Sequence, residues 1–249
     1  VDGQNIAASQ KASRAVSFVP QNISIYPHLT VEENLQVFGR FAGVPGPMIG
    51  SAVKNVLARA GLAEQARRLC RTLSGGYQRR VNICASLLQN PSVLLLDEPT
   101  VGIDIDAREA IHALLHSLSH AGTALVIATH DLDQAQILCN RVGIMQEGRI
   151  CLEGEPAALL QRTFGFDKSV IVNLRSAPPE HGHNTLYDLG FRPTQSPLTW
   201  FGFARAGTLD VGALGRHLAS SGLVLKEILI REPDLASLFM HVLGLNEAP

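Results

Sequence analysis

Residues 93–98 restrict what this chain can fold into more than any other stretch. Val93-Leu94-Leu95-Leu96 is an unbroken apolar run, preceded by Asn90-Pro91 and followed at once by Asp97-Glu98-Pro99. A strand that is apolar at every position has no solvent face, so the run predicts a strand of a parallel sheet with both faces covered. Two carboxylates carry a large desolvation cost if buried, which places Asp97 and Glu98 at the strand's C-terminal end. Open α/β sheets gather their ligand-binding groups there. One carboxylate can then hold Mg²⁺ while its neighbour orients or deprotonates a water. Taken alone, a solvated Asp-Glu-Pro turn explains the same tripeptide.

A parallel sheet needs further strands and crossover helices, and the chain supplies both. Ala15 to Gln21 is a β-branched and aromatic run closed by Pro20, hence a strand ending near Gln21. Val1 to Ile6 reads as a short edge strand with a turn at Gly3. Thr30-Val31-Glu32-Glu33 fits a capping box, with Thr30 as N-cap and Glu33 reaching back. Val31, Leu35, Phe38 and Ala42 continue it at helical spacing until Gly43 to Pro47. Ile49, Val53, Val56, Leu57 and Ala60 mark a second helix stopped by Gly61. These two helices form an insertion in the α/β core.

Leu73-Ser74-Gly75-Gly76 has the composition of a helix N-terminus. Ser74 can cap it, the glycines admit close approach of another group, and unpaired N–H groups there favour an anion such as phosphate. For a bare Ser-Gly-Gly, a plain capped helix with a glycine turn is the better account. Tyr77, Val81, Cys84 and Leu88 supply a buried stripe, and Asn90-Pro91 stops the helix. Thr123 to Ala128 predicts a second buried strand, with His130 just beyond its end. The helix after Asp104 carries Ile111, Leu114, Leu115 and Leu118 on one face. His112, His116 and His120 lie on another, read as a solvated face rather than a metal site because no carboxylate or Cys set accompanies them.

Further on, Arg141 to Ile150 reads as a hairpin around Glu147-Gly148, and Pro156 starts a helix through Gln161. Gly165 marks a domain boundary. Beyond it the pattern predicts strands at Ser169–Leu174, Leu198–Ala204 and Leu223–Ile230 and helices at Val211–Ser220 and Leu235–Leu243. The Pro/His/Gly-rich stretch Ala177 to Asn184 reads as a loop, and His181-Gly182-His183 is too short a pattern for a metal. Composition closes off other classes. Hydrophobic residues at 46% and charged residues at 17% exclude a disordered chain, and a formal net charge of −1 gives no electrostatic case for nucleic acid. Cys70, Cys84, Cys139 and Cys151 lack CxxC spacing and read as reduced core thiols. The longest stretch free of Lys, Arg, Asp and Glu, residues 110–130, is broken by histidines and serines and does not span a membrane.

Read in order, these pieces resemble the ATP-binding subunit of an ABC transporter, over roughly the first two-thirds of the chain. The resemblance rests on five motifs in the family's order. They are a Q-loop at Gln21, the signature Leu73-Ser74-Gly75-Gly76-Tyr77-Gln78-Arg79-Arg80, the Walker B strand Val93 to Thr100, a D-loop at Gly102-Ile103-Asp104 and a switch histidine at His130. It implies an α/β fold of the P-loop NTPase-like ABC cassette type, missing its P-loop end. A helical subdomain would occupy about residues 28–90, with the cassette over 1–164 and a small α+β C-terminal appendage over 165–249. It also implies ATP and Mg²⁺ as ligands, with Asp97 and Gln21 at the metal, Glu98 as general base and His130 at the γ-phosphate. Ser74, Gly75, Gly76 and Gln78 would meet ATP held mainly by a second subunit, and Asp104 would link the two sites. The implied partners are that second ATP-binding subunit, a homodimer being expected, and polytopic permease subunits. They would place the chain on the inner face of the cell membrane.

Two further features refine the resemblance. Arg231-Glu232-Pro233-Asp234-Leu235 with Phe239 and Leu243, and Tyr26 to Leu35, are similar to drug, antibiotic and lipid exporter ATPases. A P-loop, G-x-x-x-x-G-K-[ST], does not occur in these residues, because none of Lys11, Lys54, Lys168 and Lys226 follows a glycine. Val1-Asp2-Gly3, with no initiator Met, resembles the strand after the P-loop helix. The expectation is an N-terminally incomplete sequence that binds ATP poorly and does not hydrolyse it alone. The alternatives are a degenerate subunit donating only its signature face, and a soluble ABC ATPase, which usually carries a second cassette or a long coiled coil.

Overall fold

A computed structural model describes residues 1, 3–5, 8–194, 196–205 and 210–242. The chain divides into two compact units, Val1–His130 and Asp131–Pro249.

In the first unit, β1 (Val16–Val19), β2 (Val93–Asp97) and β3 (Ala124–Ala128) form a parallel sheet in the order β1-β2-β3. A helical excursion separates β1 from β2: α2 (Val31–Phe41), α3 (Gly46–Arg59) and α4 (Gly75–Leu87). α5 (Ile105–His120) connects β2 to β3, and the short α1 (Gln10–Arg14) precedes β1. The capping box forms as its residues dictate. The Thr30 hydroxyl accepts from the Glu33 N–H at 3.2 Å, and Glu33 Oε2 accepts from the Thr30 N–H at 2.8 Å. Asn34, fully buried, stitches the preceding loop. Its Oδ1 accepts from the Tyr26 N–H at 2.7 Å, and its Nδ2 donates to the carbonyls of Tyr26 and Thr30.

Several expectations are corrected here. Among the described residues no strand forms over Val1 to Ile6; a turn at Gly3 is closed by the Gln4 N–H on the Val1 carbonyl, while Asp2 and Ile6 lie outside the described residues. Among the described residues, the face of the sheet that carries Leu94 and Leu96 is the covered one. Leu94 and Leu96 are buried, but Phe18 and Val126, flanking Leu95 in register, are each 55% exposed. The apolar run therefore signalled the strand but not two covered faces. His112 is buried rather than solvated, so it does not share the open face of His116 and His120. Cys151 is exposed, unlike the buried Cys70 and Cys84.

The second unit has two apolar clusters. α6 (Leu132–Leu138), the antiparallel hairpin β4 (Val142–Gln146) and β5 (Arg149–Gly154), and α7 (Pro156–Phe164) contribute Ile144, Leu159 and Phe164 to one of them. α10 (Leu235–Val242) adds Leu235 and Leu238 to the same cluster. That shared burial groups residues 131–164 with α10 in the second compact unit. The hairpin turns at Glu147 and Gly148, both at positive φ (49° and 76°), as a tight two-residue turn between twisted strands requires.

The remaining elements are β6 (Asp167–Leu174), α8 (Glu180–Asp188), β7 (Arg192–Pro193), β8 (Thr199–Arg205), α9 (Val211–Ser220) and β9 (Leu225–Arg231). Their strand order β7-β8-β6-β9, antiparallel throughout, is the βαββαβ arrangement of ferredoxin-like sheets. Its core joins Val170, Val172, Leu186, Trp200 and Leu218. The predicted loop Ala177 to Asn184 is corrected, since α8 begins at Glu180. Gly182 is what permits it, because a Cβ there would lie 2.8 Å from Leu223. The helix thus reaches the sheet at a residue whose composition suggested a loop. The end of the last predicted helix, Leu243, lies outside the described residues.

Candidate active site

β2 and β3 run in parallel with Asp97 opposite Ala128, so the residues just past the two strand ends converge. Glu98 accepts three hydrogen bonds from β3's extension. The Thr129 hydroxyl donates to Oε2 at 3.1 Å; the His130 N–H and Nδ1 meet Oε1 at 2.9 and 2.6 Å. Nδ1 therefore carries the proton in this pair, which leaves Nε2 as the outward nitrogen of a largely exposed ring. Partial burial raises the Glu98 carboxyl's pKa. The hydrogen bonds from the His130 ring and backbone and from Thr129, with the His130 charge, outweigh that effect and hold it below the ordinary glutamate range. Glu98 also sits at φ 44°, a left-handed backbone that costs a non-glycine residue about 1–3 kcal/mol.

The signature end of α4 is built differently from its sequence expectation. Ser74 occupies the N-cap position with extended backbone but makes no side-chain cap. Ser74 and Gly75 are exposed, and a Cβ on Gly75 would meet nothing within 4 Å. Gly76 is buried, and a Cβ there would fall 2.1 Å from the Cβ of Ala107. The same Ala107 donates its N–H to Asp104 Oδ1 at 2.8 Å, which makes Asp104 the N-cap of α5. The first turns of α4 and α5 therefore touch through a glycine. Gln78 directs its amide to the carbonyls of Cys70 and Leu73, at 3.1 and 3.0 Å, and so shapes the loop that leads into α4.

Gln21 joins the site through its backbone. Its carbonyl, with that of Pro20, accepts from Arg79, whose guanidinium also reaches the carbonyls of Asp97, Glu98 and Pro99. Sequence alone assigns no role to Arg79, which lies within the signature, or to Thr129, which lies beside His130. One signal was available for Arg79. It lies three residues after Gly76 and four before Ile83, on a stripe that is otherwise uncharged and buried.

The donor set suits the ligands that the resemblance implies. No group of three or more His, Cys, Asp and Glu side chains able to hold a metal occurs among the described residues. What the strand end offers is Asp97 beside Glu98. That matches Mg²⁺, which takes one or two carboxylates and completes its shell with water and phosphate oxygens. The open approach at Gly75 suits a phosphate at a helix N-terminus.

Comparison with known proteins agrees with this geometry. A family profile described as ABC transporter matches residues 1–101, and an AAA-domain profile matches residues 70–133. The Nod factor export ATP-binding protein I of Ralstonia nicotianae is 32% identical over 236 residues, covering 95% of this chain and 73% of that protein. The linearmycin resistance ATP-binding protein LnrL of Bacillus subtilis is 30% identical over 245 residues, covering 94% and 76%. Among solved structures, cbiO1 of Clostridium perfringens, part of the ABC transporter complex cbiONQ, superposes with a TM-score of 0.55 at 30% identity. That match covers 62% of this chain and 64% of cbiO1. The α/β fold is that of the ABC ATP-binding subunit it superposes on. The chain belongs to the ATP-binding proteins of ABC transporters, which are ATPases. No helix of the described residues is long and apolar enough to cross a membrane.

Proposed function

We propose that this chain is the ATP-hydrolysing subunit of an exporter-type ABC transporter, with Glu98 as the general base. The observation that carries the proposal is the convergence of Glu98, Thr129 and His130 at the ends of β2 and β3. Bound Mg²⁺–ATP supplies the electrophilic γ-phosphorus and the metal's neutralising charge. Asp97 and Gln21 would hold the metal, Glu98 would take the proton of the attacking water, and His130, whose Nδ1 is engaged by Glu98, would offer Nε2 to the γ-phosphate. Positioning and charge stabilisation account for most of phosphoryl-transfer catalysis, and this set provides both. Ser74 and Gly75 form the face offered to nucleotide on a second copy, Gly76 seats it on Ala107, Gln78 shapes it, and Asp104 connects it to α5. The subunit sits peripherally on the cytoplasmic side of the membrane through permease partners, and the names of the export and resistance relatives favour export. The cassette runs to about residue 164, with the βαββαβ sheet as an accessory domain.

The 249 residues contain no G-x-x-x-x-G-K-[ST], so the chain by itself is expected to show no ATP turnover. That feature also favours a second reading, a subunit that only donates its signature face. A chimera separates them: a strand–loop–helix segment carrying G-x-x-x-x-G-K-[ST] is joined ahead of Val1 and ATP hydrolysis is measured. Turnover that disappears in Glu98→Gln supports the catalytic reading. Turnover indifferent to Glu98→Gln overturns it, and turnover by the unextended chain that Glu98→Gln abolishes overturns the dependence on a P-loop.

A further inference from the structure

We propose that Arg79 is a positioning residue: its guanidinium sets the backbone of the catalytic carboxylate and of the Gln21 loop in register with the signature end of α4. Beyond the ends of β1 and β2 the sheet's hydrogen-bond ladder stops, and the carbonyls of both emerging loops need other donors. Arg79 supplies them. Nε donates to Pro99 at 3.0 Å; Nη1 donates to Pro20 and Gln21 at 2.6 and 2.9 Å; Nη2 donates to Asp97 and Glu98 at 2.7 and 2.9 Å. All five donors of the fork are matched, and each matches a main-chain carbonyl.

The side chain is only 3% exposed. A buried cation without a bonded carboxylate is a costly way to fill space, and an apolar side chain of similar volume would fill it without that cost. What an apolar side chain cannot do is hold two loops at a fixed separation. Neither can lysine, whose donors radiate from one point where arginine's form a planar fork. One of the residues so held is Glu98, whose φ of 44° persists only if its surroundings over-determine it.

α4 connects this fork to the face offered to a partner's nucleotide. Arg79 lies one turn beyond Gly75 and Gly76 on a 13-residue helix, and the first turn of that helix rests directly on Ala107. Any displacement of the Ser74–Gly76 end carries Arg79 with it, and through Arg79 the carbonyls on either side of the Glu98 side chain. Arg79 is thus the link by which engagement of the signature face reaches the chain's own base. This rests on the reading of Glu98 as the base, but the geometry of the link does not.

The test uses the 249-residue chain and needs no turnover. The sign of φ at Glu98 is read from NMR couplings, and amide exchange is followed at Gln21 to Ser24 and at His130. The unmodified chain, Arg79→Lys and Arg79→Gln are compared. Positioning by the fork predicts that Glu98 leaves the left-handed region in both variants. It also predicts that these amides exchange about tenfold faster or more while amides of α5 keep their protection. A folded Arg79→Lys chain that keeps φ at Glu98 positive and the local protection intact overturns the proposal, since charge alone then suffices. The same result in Arg79→Gln overturns it in favour of packing. Should both variants fail to fold, the unmodified chain decides. The Arg79 guanidinium protons must exchange at least about tenfold more slowly than those of the exposed Arg71, and equal rates overturn the proposal. Loss of Glu98 dependence in the chimera would sink the catalytic reading while leaving these readouts untouched, so the two failures are distinct.

Discussion

The two glycines of the signature separate recognition from packing at single-residue resolution. Gly75→Ala adds a methyl to open space and is expected to leave the urea midpoint within experimental scatter. Gly76→Ala drives a Cβ onto Ala107 at 2.1 Å and is expected to cost about 1–3 kcal/mol, as overpacking does elsewhere. Equal midpoints for the two variants would show that α4 and α5 do not meet as described. Glu98 makes a pH prediction. Its carboxyl titrates below the ordinary value in the folded chain, so the stability it contributes is complete above the unfolded glutamate pKa of about 4.3 and is lost as pH falls through the lower, folded value. Below about 5 the stability difference between the unmodified chain and Glu98→Gln should shrink as pH falls further. A difference that does not shrink in that range contradicts the hydrogen-bonded arrangement. Glu98 was legible in the sequence because charge after an apolar run has one sensible place. Thr129 was not, because its relevance depends on a neighbouring strand.

Among the elements, the helical excursion between β1 and β2 is fastened by buried amides more than by its surface cap. Asn34 satisfies both polar groups of Tyr26, and Asn82 accepts from the Ser24 N–H at 3.2 Å. Asn34→Ala leaves the Tyr26 N–H unpaired, while the Tyr26 carbonyl keeps the Leu29 N–H at 3.3 Å, and is expected to cost about 1–3 kcal/mol, with faster amide exchange across residues 24–30. Thr30→Ala, at a more accessible site, should lower the melting temperature by less. The reverse ranking would mean that the capping box, and not the buried amide, holds the loop. The capping box was readable because its partners lie three residues apart. Asn34 lay inside a stretch noted only for its resemblance to exporters, because its partners sit in a loop that folds back over the helix.

At the scale of the molecule, the two units bury separate cores, and the single Trp200, 1% exposed, reports on the second. Leu186→Ala removes a fully buried side chain beside it and is expected to cost about 2–5 kcal/mol, read as a fluorescence transition at lower urea. Asn34→Ala in the first unit should leave that transition where it is. If Asn34→Ala shifts it as far as Leu186→Ala does, the two cores unfold as one.

The sequence by itself determined most of the strands and helices, the turn at Glu147-Gly148 and the five motifs, because such signals are local and act within a few residues. It also placed Asp97, Glu98 and His130 at the ends of their strands. Tertiary structure decided what lies across from what. It chose which face of the sheet is covered, made Gly182 the contact point of a helix rather than part of a loop, joined residues 131–164 to the C-terminal cluster, and brought Arg79 between two loops. These are contacts between residues far apart in sequence, where a side chain's role depends on the neighbour it meets and not on its own chemistry.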